Sequence, residues 1–147
     1  MIDIDVKKTA IESFNQVWAL IDKPDKTDED KLNMIRLAHR SLHCWIQFGG
    51  TILHIVRGEW MISHVYSVLG MGEAALYHAQ TCYEATLDHE IGDFDLVFAY
   101  EAMAFAYNVL GEIELKNQYL DEGYSALDQI VKDSDREYAL SQLDLQK

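Results

Sequence analysis

Proline is almost missing from this chain: Pro24 is the only one in 147 residues. No stretch alternates apolar and polar residues for any length, so strands are not expected and long helices are. Cysteine is nearly as scarce. Cys44 and Cys82 form no CxxC pair, which excludes a disulfide framework and fits a reducing, cytoplasmic setting. The catalytic signatures are missing too. There is no GxxxxGK[ST] phosphate loop, no GxSxG elbow and no HExxH. Without a Glu-x-x-His pair, a carboxylate-bridged di-metal bundle is excluded as well. Long hydrophobic runs are lacking. The most apolar stretch, Leu96 to Gly111, is interrupted by Glu101 and Asn108 and is too short to span a bilayer. The first residues, Met1-Ile2-Asp3-Ile4-Asp5, are acidic rather than basic, so no secretory leader is expected.

Positive charge is missing from one part only. Residues 1–57 balance eight Lys/Arg against eight Asp/Glu, whereas residues 58–147 set four against seventeen and carry the whole net charge of −13. No basic residue lies between Arg57 and Lys116. Nucleic acid and anionic membrane are therefore excluded as partners, because both need clustered Lys/Arg. A basic peptide is favoured electrostatically. An acidic surface also serves solubility alone.

The 147 residues suit one domain. Turn signals divide it into helices over about 7–22, 27–48, 52–69, 73–89, 93–110 and 112–131, with a short last helix over 134–145. Ile11, Phe14, Trp18 and Ile21 form the apolar stripe of the first helix. Thr27 is placed to cap the second helix, with Asp28, Glu29 and Asp30 at its positive end. Ser134 with Glu137 predicts a capping box for the last helix. Short links favour antiparallel neighbours, so three helical hairpins are expected over about 7–48, 52–89 and 93–131.

The hairpins repeat. Tyr66-Ser67-Val68-Leu69-Gly70 returns, with one change, as Tyr107-Asn108-Val109-Leu110-Gly111 at an offset of 41 residues. Around these segments the chain reads Tyr100-x2-Met103-Ala104-x2-Tyr107 and Glu59-x2-Ile62-Ser63-x2-Tyr66. Ala75-x3-Ala79 and Lys116-x3-Leu120 follow in the partner helices. This pattern resembles the tetratricopeptide repeat, W-x2-L-G-x2-Y followed by A-x3-F and a closing proline. It departs from it in a unit of 41 rather than 34 residues, in the missing proline, and in Lys116 at a small-residue position. The excess length predicts an extended fourth helix. The resemblance covers about half the chain and is shared with short bacterial proteins of that superfamily. It implies an all-α, right-handed stack of three antiparallel hairpins with a C-terminal capping helix.

By the same resemblance, the leading helix of each hairpin lines a concave groove for a protein or peptide. That puts Arg57, Trp60, His64 and Ser67 of the third helix in the groove, with Phe98, Glu101, Phe105 and Asn108 of the fifth. Ile62, Tyr66 and Leu69, and Met103, Tyr107 and Leu110, then face the core. The same aromatics are equally suited to plain core packing or to a homodimer interface.

Two chemical alternatives accompany the binding reading. His39 with His43 and His78 with Cys82, each i,i+4, are four candidate zinc ligands, but nothing in the sequence orients one pair against the other. His64 and Glu101 are the candidates for a general-base pair in a small hydrolase or metal-binding protein. No catalytic residue, metal or cofactor is assigned on these grounds. A purely self-associating structural protein is the third reading.

Overall fold

Pro24 and three left-handed glycines cut the chain into consecutive helices. The computed structural model describes residues 2–147. In chain order the helices are α1 (Ile2–Asp22), α2 (Asp28–Phe48), α3 (Ile52–Val68), α4 (Gly72–Asp88), α5 (Asp93–Leu110), α6 (Ile113–Ala126) and α7 (Asp133–Asp144). A single 3-10 turn, Leu127–Gln129, separates the last two. No strand occurs among the described residues, and none of their helices is long and apolar enough to cross a membrane. α1 packs on α2, α3 on α4 and α5 on α6, while α2·α3, α4·α5 and α3·α5 contacts join the pairs into one stack. The expected all-α hairpin stack is thus the observed one, and α7 closes it by packing on α5 and α6.

Local chemistry explains the boundaries. Thr27 caps α2 reciprocally: the Asp30 amide donates to Thr27 Oγ1 at 3.1 Å and the Thr27 amide to Asp30 Oδ2 at 2.9 Å. The Lys23 ammonium, 2.7 Å away, and the Thr27 amide hold the Asp30 carboxyl down to about 2. Gly70 and Gly111, the last residues of the repeated pentapeptide, both adopt φ 78° and let the chain reverse into α4 and α6. Close approach follows from small residues. Ser63 is fully buried and donates to the Ala75 carbonyl at 2.9 Å, tying α3 to α4. A Cβ on Gly58 would lie 2.7 Å from Leu42 Cδ1 and 3.2 Å from Leu42 Cβ, so glycine lets α3 sit this near α2 without displacing the Leu42 side chain.

Four expectations are corrected. α1 begins at Ile2 rather than near Lys7, with the acidic Asp5 close to its positive end. α4 is not extended: α3 and α4 have 17 residues each, and the longer repeat is shared between them and their links. α6 stops at Ala126 instead of Val131, because Ile130 turns extended (φ −74°, ψ 122°) and buries itself beside Leu127, Ala139 and Leu143. The Ser134–Glu137 capping box does not form. α7 starts at Asp133, whose carboxylate accepts from Arg136 at 3.0 Å while the same guanidinium holds the Ile130 carbonyl at 2.8 Å.

Candidate functional site

Residues one repeat apart meet. Trp60 of α3 donates its indole N–H to Glu101 Oε1 of α5 at 3.1 Å, and the two stand 41 positions apart. His64 and Phe105, also one repeat apart, bring their rings to 5.5 Å. Side-by-side leading helices with matched faces produce this pairing. Trp60 is the hub, packed against all four buried clusters of the molecule.

Beside Trp60 lies a cavity of about 160 Å³. Its walls come from α1 (Phe14, Trp18), α3 (Val56, Arg57, Trp60), α4 (Cys82), α5 (Phe94, Asp95, Phe98) and α7 (Tyr138). The rings interlock: Trp18–Trp60 at 5.9 Å, Trp60–Phe98 at 5.7 Å edge-on, Phe94–Phe98 at 4.4 Å and Phe98–Tyr138 at 5.8 Å. Arg57 grips Asp95 with two parallel bonds, Nε to Oδ1 at 2.9 Å and Nη2 to Oδ2 at 3.0 Å. More than half of the Arg57 side chain is exposed, which marks the mouth. Cys82 lies on an inner wall, its thiol pushed up to about 12 by burial, so it is no nucleophile. A wider hollow of about 590 Å³ is bounded by Lys7, Lys8, Ile11, Glu12 and Phe48. All but Phe48 are exposed, so it is a surface dish without walls.

Two ionisable groups behind the rings are poorly provided for. Glu101 is 1% exposed; Oε1 accepts from Trp60 but Oε2 has no partner among the described residues. Burial raises its carboxyl to about 8, against the opposing indole bond, so it is chiefly protonated at neutral pH. His64 stacks on Trp60 at 4.7 Å and 15°, touches Trp18 and Phe105, and leaves Nδ1 without a partner. Burial lowers it to about 4, so it stays neutral. Among the described residues no hydrogen bond or ion pair joins His64 to Glu101; each meets Trp60 instead.

The eight groove residues expected from sequence divide into three groups. Arg57, Trp60 and Phe98 line the cavity. His64 and Glu101 meet Trp60 and Phe105 packs on His64, and none of the three is on the cavity walls. Ser67 is buried, and Asn108 donates to Gln146 Oε1 at 3.4 Å. The walls from α1 and α7 escaped sequence reasoning. A signal existed: Phe14/Trp18, Trp60/His64 and Phe94/Phe98 are all i,i+4 ring pairs on leading helices. Of the residues expected to be core, Ile62 and Met103 are fully buried and Leu110 is 37% exposed.

The histidines once grouped as zinc candidates lie elsewhere. His39 of α2 and His78 of α4 do approach, at 5.5 Å between ring centroids. They belong to a polar seam in which His39 Nε2 meets the Tyr66 hydroxyl at 3.0 Å and His78 Nδ1 meets Glu59 Oε1 at 2.8 Å. Desolvation, and then the neighbouring His78, lower the His39 pKa. His43 is exposed, and Cys82 faces the core with Val56 and Ala99. Among the described residues no three His, Cys, Asp or Glu side chains are grouped to hold a metal ion.

Compared with known proteins, the chain matches no family model, no curated protein and no solved structure. The architecture and the cavity are therefore the grounds for function.

Proposed function

We propose that the chain is a tetratricopeptide-like binding module of the cytoplasm, and that it holds a peptide segment of a partner protein on the face formed by α1, α3 and α5. The observation that carries this reading is the aromatic cavity. Six of its ten wall residues are aromatic, and they come from all three hairpins and from α7. Aromatic side chains that form a pocket are the usual anchors of binding energy. A cavity near 160 Å³ is smaller than the roughly 300–1,000 Å³ of sites that enclose whole small molecules, and suits one side chain. The acidic half of the chain supplies attraction for basic flanking residues.

Selection from a displayed peptide library tests the reading, with the indole N–H resonances of Trp18 and Trp60 as reporters. Selected peptides should move both resonances and should lose affinity at least about tenfold against Phe94→Ala protein that keeps its helical spectrum, as expected for an anchor contact. Peptides that bind without moving either indole, or a library that yields none, would contradict it. A second copy of the chain as occupant predicts indole shifts that depend on protein concentration with no peptide present.

A further inference from the structure

An apolar anchor needs apolar walls, and aliphatic ones would serve. These walls are chiefly aromatic, in a chain only 11% aromatic. Ring faces add what aliphatic walls lack, an electrostatic attraction for cations. Two of the polar groups on the cavity walls are already engaged, and the Tyr138 hydroxyl is the third. Both Asp95 oxygens accept from Arg57, which neutralises that guanidinium, and the Trp60 N–H is held by Glu101. A primary ammonium would bring three N–H donors to walls where Asp95 is already paired and the Tyr138 hydroxyl is left to accept, so much of its lost hydration would go unreplaced. A quaternary ammonium has no N–H to satisfy. Its size also fits, since a cavity of about 150 Å³ is known to accept a benzene-sized guest. The net charge of the chain, −13, favours a cation.

We infer that the cavity bounded by Trp18, Trp60, Phe94 and Phe98 binds a quaternary ammonium group, carried by a partner peptide as an N-trimethyl-lysine side chain. The carrier rests on the peptide-binding reading; the chemistry of the cavity does not.

Two matched comparisons test it, read by tryptophan fluorescence and indole resonances. Choline is set against its uncharged carbon isostere 3,3-dimethylbutanol. One basic peptide is then compared with its central lysine unmodified, trimethylated, or replaced by the uncharged carbon isostere. The ammonium should bind about tenfold or more tightly than the isostere in both comparisons, and the trimethylated peptide should exceed choline. Isosteres that bind as well as the ammonium compounds, or no binding of either, would overturn the proposal. Choline preferred over its isostere, but a trimethylated peptide no tighter than choline, would overturn the peptide carrier alone. Trp18→Leu and Phe94→Leu keep an apolar wall and remove a ring face. Either variant, verified as folded, should lose choline affinity while the isostere is unaffected; equal losses for both ligands would overturn the cation assignment.

Discussion

Glu59 and Glu101 sit on neighbouring leading helices, both largely buried, one on each side of the stack. Glu59 faces the α2–α4 seam, where His78, His39 and Tyr66 form a connected polar set and leave no orphaned carboxylate oxygen. Glu101 faces the aromatic side, where Trp60 serves one oxygen and no group among the described residues serves the other. Burial alone therefore does not mark a site. A satisfied, partly buried network holds elements in register, whereas an under-served acid next to a walled cavity carries a desolvation cost. The first is the signature of architecture; the second borders the cavity proposed above as the binding site.

The largest effect expected from breaking this contrast is at Glu101. Its folded pKa, near 8, lies above the ordinary 4.5, so the stability that its protonated form contributes is complete below pH 4.5 and is lost as pH rises to 8. His64 runs the other way: its contribution is complete above pH 6.5 and is lost as pH falls to 4. From these two groups, stability should rise from pH 4 to 4.5, stay level to 6.5 and fall from there to 8. Glu101→Gln keeps the acceptor for Trp60 and should abolish the fall, making the variant more stable than the parent at pH 8 by on the order of 4 kcal/mol in urea denaturation. Equal slopes for the two proteins between pH 6.5 and 8 would show that Glu101 ionises normally.

On the other side, Glu59→Leu should cost about 1–3 kcal/mol, because it leaves His78 Nδ1 without its partner. That loss should come without any change in ligand affinity, which calorimetric titration checks. Trp60→Phe should cost about 1–2 kcal/mol by removing the indole N–H that Glu101 accepts from, and should push the carboxyl above its parent value. Tyr66→Phe should be mildest, about 0.5–1 kcal/mol, since it removes only the hydroxyl that meets the more exposed His39.

How much of this was legible beforehand depends on sequence distance. Gly70, Gly111, Pro24 and Thr27 act within a few residues, and they placed the helix breaks well. The repeat offset of 41 foretold that α3 and α5 lie side by side, and the Trp60–Glu101 bond realises it. Boundaries set by tertiary packing were not legible. Ile130 leaves the helical path to fill a hole made by α7, and nothing local announces it. The cavity was half legible for the same reason. Trp60, Arg57 and Phe98 fall on the repeated helices, whereas Phe14, Trp18 and Tyr138 reach it from α1 and α7. His64 and Glu101 were rightly placed on adjacent helices, but both converge on Trp60 instead of on each other.

The most direct test is a carboxyl-carbon NMR titration of Glu101 in the folded protein and in Trp60→Phe. A midpoint near pH 8 in the parent, moved upward in the variant, is the outcome expected if the two repeats stack as described. An ordinary midpoint near 4.5 in both would place Glu101 in water and contradict the buried junction on which the aromatic site is built.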